Sequence, residues 1–196
     1  MTMVASDDAL HPPVGGWTVD DLDELPLDGV RRELVDGVLH VMPTPGRLHQ
    51  TLAAYLTVAL DQRCPDGYDV TQAVEIAFNR RNTRIPDVMV TTASAAAERD
   101  ANPCRYRPQD IILAVEIVSP STVAQDRVAK PAQYAAAGIP LYWRIDLDTG
   151  ITVNTFRLDA SASVYVPTGE FTEIVEVDEP WLLDLPVTEF TPRKLA

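Results

Sequence analysis

The run IILAVEIV at 111–118 sets one carboxylate, Glu116, inside seven apolar residues. An apolar stretch of this length, rich in β-branched residues, predicts a strand covered on both faces rather than one half-exposed to water. A carboxylate in that setting is costly unless it meets a cation, a hydrogen-bond network or a metal. Upstream, IPDVMV at 85–90 predicts a second strand with Asp87 at its proline-linked start. If the two strand carboxylates converge, they form a hard oxygen site suited to magnesium or manganese. Lys130 follows the buried strand, and the only other lysine is Lys194 at the end of a chain that otherwise uses arginine. A mid-chain lysine close behind an acidic pair is the natural third member of such a site. Because two carboxylates sharing a site repel, removing either should leave the metal-free protein's stability unchanged or slightly raised.

These pieces resemble the PD-(D/E)XK nuclease superfamily, and more closely its Uma-type restriction-endonuclease branch. The matching segments are RRELVDGVLHVMPTPGRLHQ (31–50), IPDVMV (85–90), AVEIVSPST (114–122) and AKPAQYAAAGIPLYWRID (129–146). The superfamily pattern puts its lysine two residues after the glutamate, where this chain has Val118. In the Uma-type branch the lysine stands on the following helix, where Lys130 falls, although Pro131 follows it. The resemblance implies an α/β fold with a restriction-endonuclease-like core, a central mixed sheet flanked by helices, here extended by C-terminal strands. It implies a divalent metal, magnesium or manganese, on Asp87, Glu116 and the backbone carbonyl of Ile117. DNA is the implied substrate and a homodimer the implied assembly, since many nucleases address two strands through two-fold symmetry. Glu33 is a further candidate carboxylate. His49, which alone reads as a surface or hydrogen-bonded histidine, becomes a candidate because relatives carry a histidine near this place.

Phosphodiester hydrolysis needs an activated water, neutralised charge on the phosphate and help for the leaving oxygen. A metal on the acid pair would lower the water's pKa and act as Lewis acid. Lys130 would position that water or stabilise charge on the phosphate.

The 196 residues suffice for one domain with a full core, expected over 16–196 behind a disordered tail at 1–15. The net charge of −13 excludes a protein that coats nucleic acid non-specifically, because phosphate neutralisation needs surplus cations. Arg80, Arg81 and Arg84, with Arg99, Arg105 and Arg107 beyond them, are candidates for a local basic surface, or for a solvated hairpin and loop. No signal peptide and no membrane-spanning run is evident. With Cys64 and Cys104 outside any metal spacing, this predicts a cytoplasmic protein with reduced thiols.

Along the chain, Thr18 and Asp21 form a capping box for a short helix at 19–25. Asp36-Gly37 predicts a hairpin turn between strands at 31–35 and 38–42. Leu48, Leu52, Tyr55, Leu56, Ala59 and Leu60 follow helical spacing, giving an amphipathic helix to about Cys64. A strand at 68–78 is expected to pair with IPDVMV as an antiparallel hairpin. A short helix and loop should fill 91–108. Thr122 with Gln125 marks another helix start; that helix either kinks at Pro131 or restarts there, and ends at Gly138 and Pro140. Strands at 141–146, 151–158, 164–167, 171–177 and 182–187 close the chain. Two rival functions share these features: a catalytically decayed nuclease-like fold that binds protein or nucleic acid, and a metal hydrolase for a small phosphorylated substrate.

Overall fold

The computed structural model describes residues 11–26, 28–101, 104–118, 128–193 and 195. The N-terminal capping box forms as read: α1 (Val19–Asp23) starts with the Thr18 side chain receiving the Asp21 N–H while Asp21 accepts from Thr18 N–H at 2.8 Å. β1 (Arg32–Val35) and β2 (Val38–Val41) pair antiparallel around Asp36 and Gly37. Their φ angles of 51° and 79° are the left-handed values that a tight two-residue hairpin requires. α2 (Arg47–Asp61) follows, burying Leu52, Leu56 and Leu60 along one stripe.

The expected single strand at 68–78 is instead two. β3 (Tyr68–Gln72) ends at Ala73, whose φ of 55° takes the chain out of the extended region. β4 (Ile76–Asn79) then pairs with β5 (Asn82–Arg84) as a small separate hairpin. The partner of β3 is β6 (Val88–Thr92), antiparallel with Val70 opposite Val90. α3 (Ala93–Ala101) and a 3₁₀ turn (Pro108–Asp110) lead to β7 (Ile111–Ile117), the buried strand. α4 (Lys130–Ala136) carries Pro131 as its second residue, directly after a π-helical turn at 128–129, the kind of local irregularity that accommodates a proline within a helical run. The Thr122–Gln125 capping signal lies outside the described residues. Gly138, at φ 81°, ends α4 as read.

β8 (Leu141–Asp146), β9 (Thr152–Asp159) and β10 (Val164–Phe171) complete a six-stranded sheet in the order β10-β9-β8-β7-β6-β3. Only β7 and β8 run parallel, joined by the crossover that contains α4; the other neighbours are antiparallel. β11 (Ile174–Val177) and β12 (Leu183–Pro186) form a separate hairpin, and α5 (Val187–Phe190) follows.

Strand alternation divides the core between two layers. Val88, Val90, Leu113, Val115 and Ile117 pack with α2, with the β11–β12 hairpin and with Phe190. Met89, Ala114 and Tyr142 face the other way, against Tyr134 and Ile139. Each fully buried large apolar side chain contributes about 1.5–3 kcal/mol, so both faces of the sheet are held. The fold is the mixed α/β sheet with flanking helices that the sequence predicts, and none of its described helices is long and apolar enough to cross a membrane.

Candidate active site

The alternation that buries Leu113, Val115 and Ile117 on the α2 side sends Ala114 and Glu116 to the α4 side. Glu116 is 1% exposed there. Its Oε2 accepts from the Lys130 ammonium at 2.7 Å, and its Oε1 accepts from the Tyr134 hydroxyl at 2.5 Å. Lys130 and Tyr134 are four residues apart on α4, one helical turn, so both reach the same carboxylate from one face. Burial and the neighbouring Glu116 charge push the Tyr134 phenol well above its ordinary value, which keeps it a donor.

Asp87 lies just before β6, its backbone N–H bonded to Val115 O at 3.1 Å. Its Oδ2 accepts from the Ile117 N–H at 2.8 Å and stands 3.1 Å from His49 Nε2, in the first turn of α2. Burial pushes the Asp87 carboxyl up, but the His49 ring, the Lys130 charge and the Ile117 N–H outweigh it and hold the group below its usual value of 3.8. One ammonium therefore acts on both acids: it bonds Glu116 directly and its charge reaches Asp87. Val118 N–H turns toward β8, donating to Ile145 O, so the N–H and C=O of Ile117 both face the Asp87 side in an extended strand.

Glu33 sits behind this centre on β1. Its Oε1 accepts from Ile85 N–H at 3.0 Å and its Oε2 lies 3.9 Å from Arg84 Nε. Asp87, Glu116, Lys130, His49 and Ile117 are thus brought together, and Glu33 anchors the segment that delivers Asp87. The three arginines read as a basic surface are drawn apart. Arg84 is 3% exposed and donates to Leu34 O, Thr83 O and Gln133 Oε1, which places it inside the protein. The Arg81 guanidinium clasps the Gly15 and Asp36 carbonyls, and Arg80 faces solvent in a pair with Asp20. Farther on, Arg99 pairs with Asp110 and Arg105 with Glu75 and Asp23. Tyr134 was not singled out from sequence; its spacing of four from Lys130 was the available signal.

Among the described residues no group of three or more His, Cys, Asp or Glu side chains is assembled to hold a metal. Two carboxylates and a backbone carbonyl are a sparser set. They suit an ion that keeps several waters and shares its shell with substrate phosphate, as magnesium does.

A mixed sheet carrying a buried acid pair with a lysine at the end of its central strands defines a restriction-endonuclease-like chain. The Uma2 family model, described as "Putative restriction endonuclease", matches residues 19–188, and the chain belongs to that family. The crystal structure of a "putative nuclease belonging to DUF820" from Anabaena variabilis is similar in fold, with a TM-score of 0.68 at 18% identity over 89% of this chain and 97% of that one. No curated protein matches in sequence.

Proposed function

We propose that this chain is a divalent-metal-dependent endonuclease that hydrolyses phosphodiester bonds in DNA. The observation that carries this reading is the Lys130 ammonium, buried at 6% exposure, bonded to Glu116 and acting on Asp87 as well. Asp87, Glu116 and the Ile117 carbonyl are the groups that would hold magnesium or manganese, which when bound supplies a water of lowered pKa and Lewis-acid assistance.

The chain's own groups do the rest. Tyr134 fixes Glu116 and leaves its charge in place. His49 and the Ile117 N–H hold Asp87 in one orientation. Lys130, hydrogen-bonded and therefore pre-oriented, stands ready to stabilise negative charge as water adds to phosphorus and the ester oxygen departs with a proton. Family membership supports DNA as the substrate, a two-fold pair of chains would suit its two strands, and free Cys64 and Cys104 fit a cytoplasmic setting.

Supercoiled plasmid incubated with manganese or magnesium should be nicked and then linearised, with no conversion in EDTA. Lys130→Met should slow conversion by roughly 100-fold or more while the far-ultraviolet circular dichroism stays native. A wild-type protein that binds metal and DNA yet leaves every plasmid and linear duplex intact would instead support the decayed, binding-only alternative.

A further inference from the structure

We propose that Arg31 is a positioning residue that clamps a backbone phosphate of the substrate strand in the cleft beside Asp87. This rests on the reading that the substrate is a nucleic acid.

The cleft, about 530 Å³, lies between α1, the start of the β1–β2 hairpin and the Ile85 segment. Its charged lining is Arg31, Arg32, Arg105, Asp23, Asp28 and Glu75, which cancels in number. The cancellation is uneven. Arg32 places both terminal nitrogens on Asp28, at 2.9 and 2.6 Å. Arg105 is held by Glu75 at 2.5 Å and by Asp23 at 2.8 Å. These two guanidinium forks are closed by carboxylates.

Arg31 is different. Nη2 donates to Ile85 O at 2.9 Å, which fixes the fork against the segment leading into Asp87. Nη1 forms only a loose ion pair with Asp87 Oδ1, at 3.8 Å and beyond hydrogen-bond reach. Its Nε is buried without a hydrogen-bond partner, as is that of Arg32, so the difference between the two lies in the terminal nitrogens. The side chain is 25% exposed and lines the cleft, so a ligand oxygen can approach it. The Nη1 hydrogens and the remaining Nη2 hydrogen of this oriented guanidinium match the oxygens of a phosphate diester, which two parallel N–H groups can grip. Its closeness to Asp87 puts that phosphate next to the one undergoing hydrolysis, and fixing it would set the register of the strand. In a chain of net charge −13, a cation of this kind is what lets a polyanion dock here.

The test is binding of a short labelled DNA duplex, read by fluorescence anisotropy over a salt series, in EDTA and again with calcium. Arg31→Ala should weaken binding about tenfold or more and reduce the slope of log K against log salt by about one, the signature of one lost phosphate contact. Arg31→Lys should keep the slope but bind less tightly, because the charge remains and the fork does not. Arg32→Ala should leave both unchanged, since Asp28 already occupies it. Thermal melts identify any variant that fails to fold, and Arg31→Lys then carries the comparison. An unchanged slope in Arg31→Ala, an equal loss in Arg32→Ala, or a wild type without measurable DNA binding in either condition overturns the inference. Binding that depends on Arg31 in a protein that never cleaves keeps the clamp and sinks the nuclease reading.

Discussion

Glu116 has both carboxylate oxygens occupied inside the protein, one by Lys130 and one by Tyr134. Those donors oppose the stabilising effect expected on removing one of two repelling acids, because truncating Glu116 leaves a buried ammonium and a buried hydroxyl without their acceptor. Removing the ammonium from a buried pair should cost about 3 kcal/mol, so Lys130→Met is expected to lower the urea-unfolding free energy of the metal-free protein by that order. Tyr134→Phe removes one hydrogen bond to a charged group and should cost about 1.5–3 kcal/mol in the same measurement. A double-mutant cycle would show whether the two donors act on Glu116 independently. Asp87 adds a dependence on pH. Its folded-state value lies below the ordinary 3.8, so its stabilising effect is present above that value and is lost as pH falls through the lower folded one. In EDTA, Asp87→Asn should therefore lose less stability than wild type as unfolding is followed from neutral pH to below pH 4; an identical acid-side slope would refute the shift.

Local patterns decided several elements in advance, and their chemistry shows why. Asp36-Gly37 requires a left-handed turn, and at Gly37 a Cβ would also strike the Arg81 guanidinium. Gly37→Ala should cost more than about 1 kcal/mol, read as a shift in denaturant midpoint at constant m-value. Pro131 looked from sequence like a helix breaker beside the lysine. It stands as the second residue of α4, where the π-helical turn at 128–129 accommodates it, so Pro131→Ala should change stability by no more than about 1 kcal/mol and leave Lys130 in place. The amphipathic stripe of α2 and the apolar run of β7 were legible for the same local reason. The break between β3 and β4 was not, because Ala73 at a positive φ has no marker in an alternating pattern. Nor was the fate of Arg84. A sequence shows charge but not that Leu34 O and Gln133 enclose it from elements 50 and 49 residues away.

At the scale of the whole molecule, Asp87 and Glu116 stand at the end of the central strands of a chain whose net charge is −13 with both of them counted. A divalent ion that binds the folded state and not the unfolded chain should raise the melting temperature. At a concentration 100 times its dissociation constant the gain is about 2.7 kcal/mol, and chelation should reverse it. The pattern among variants is more informative than the size. Glu116→Gln and Asp87→Asn each remove a carboxylate ligand and should abolish most of the manganese-induced shift. Lys130→Met keeps both carboxylates and removes a competing cation, so its shift should equal or exceed that of wild type even though the starting melting temperature is lower. A manganese shift that survives in both acid variants would place the ion elsewhere on this acidic surface, and Asp87 and Glu116 would then be structural partners of His49 and Lys130.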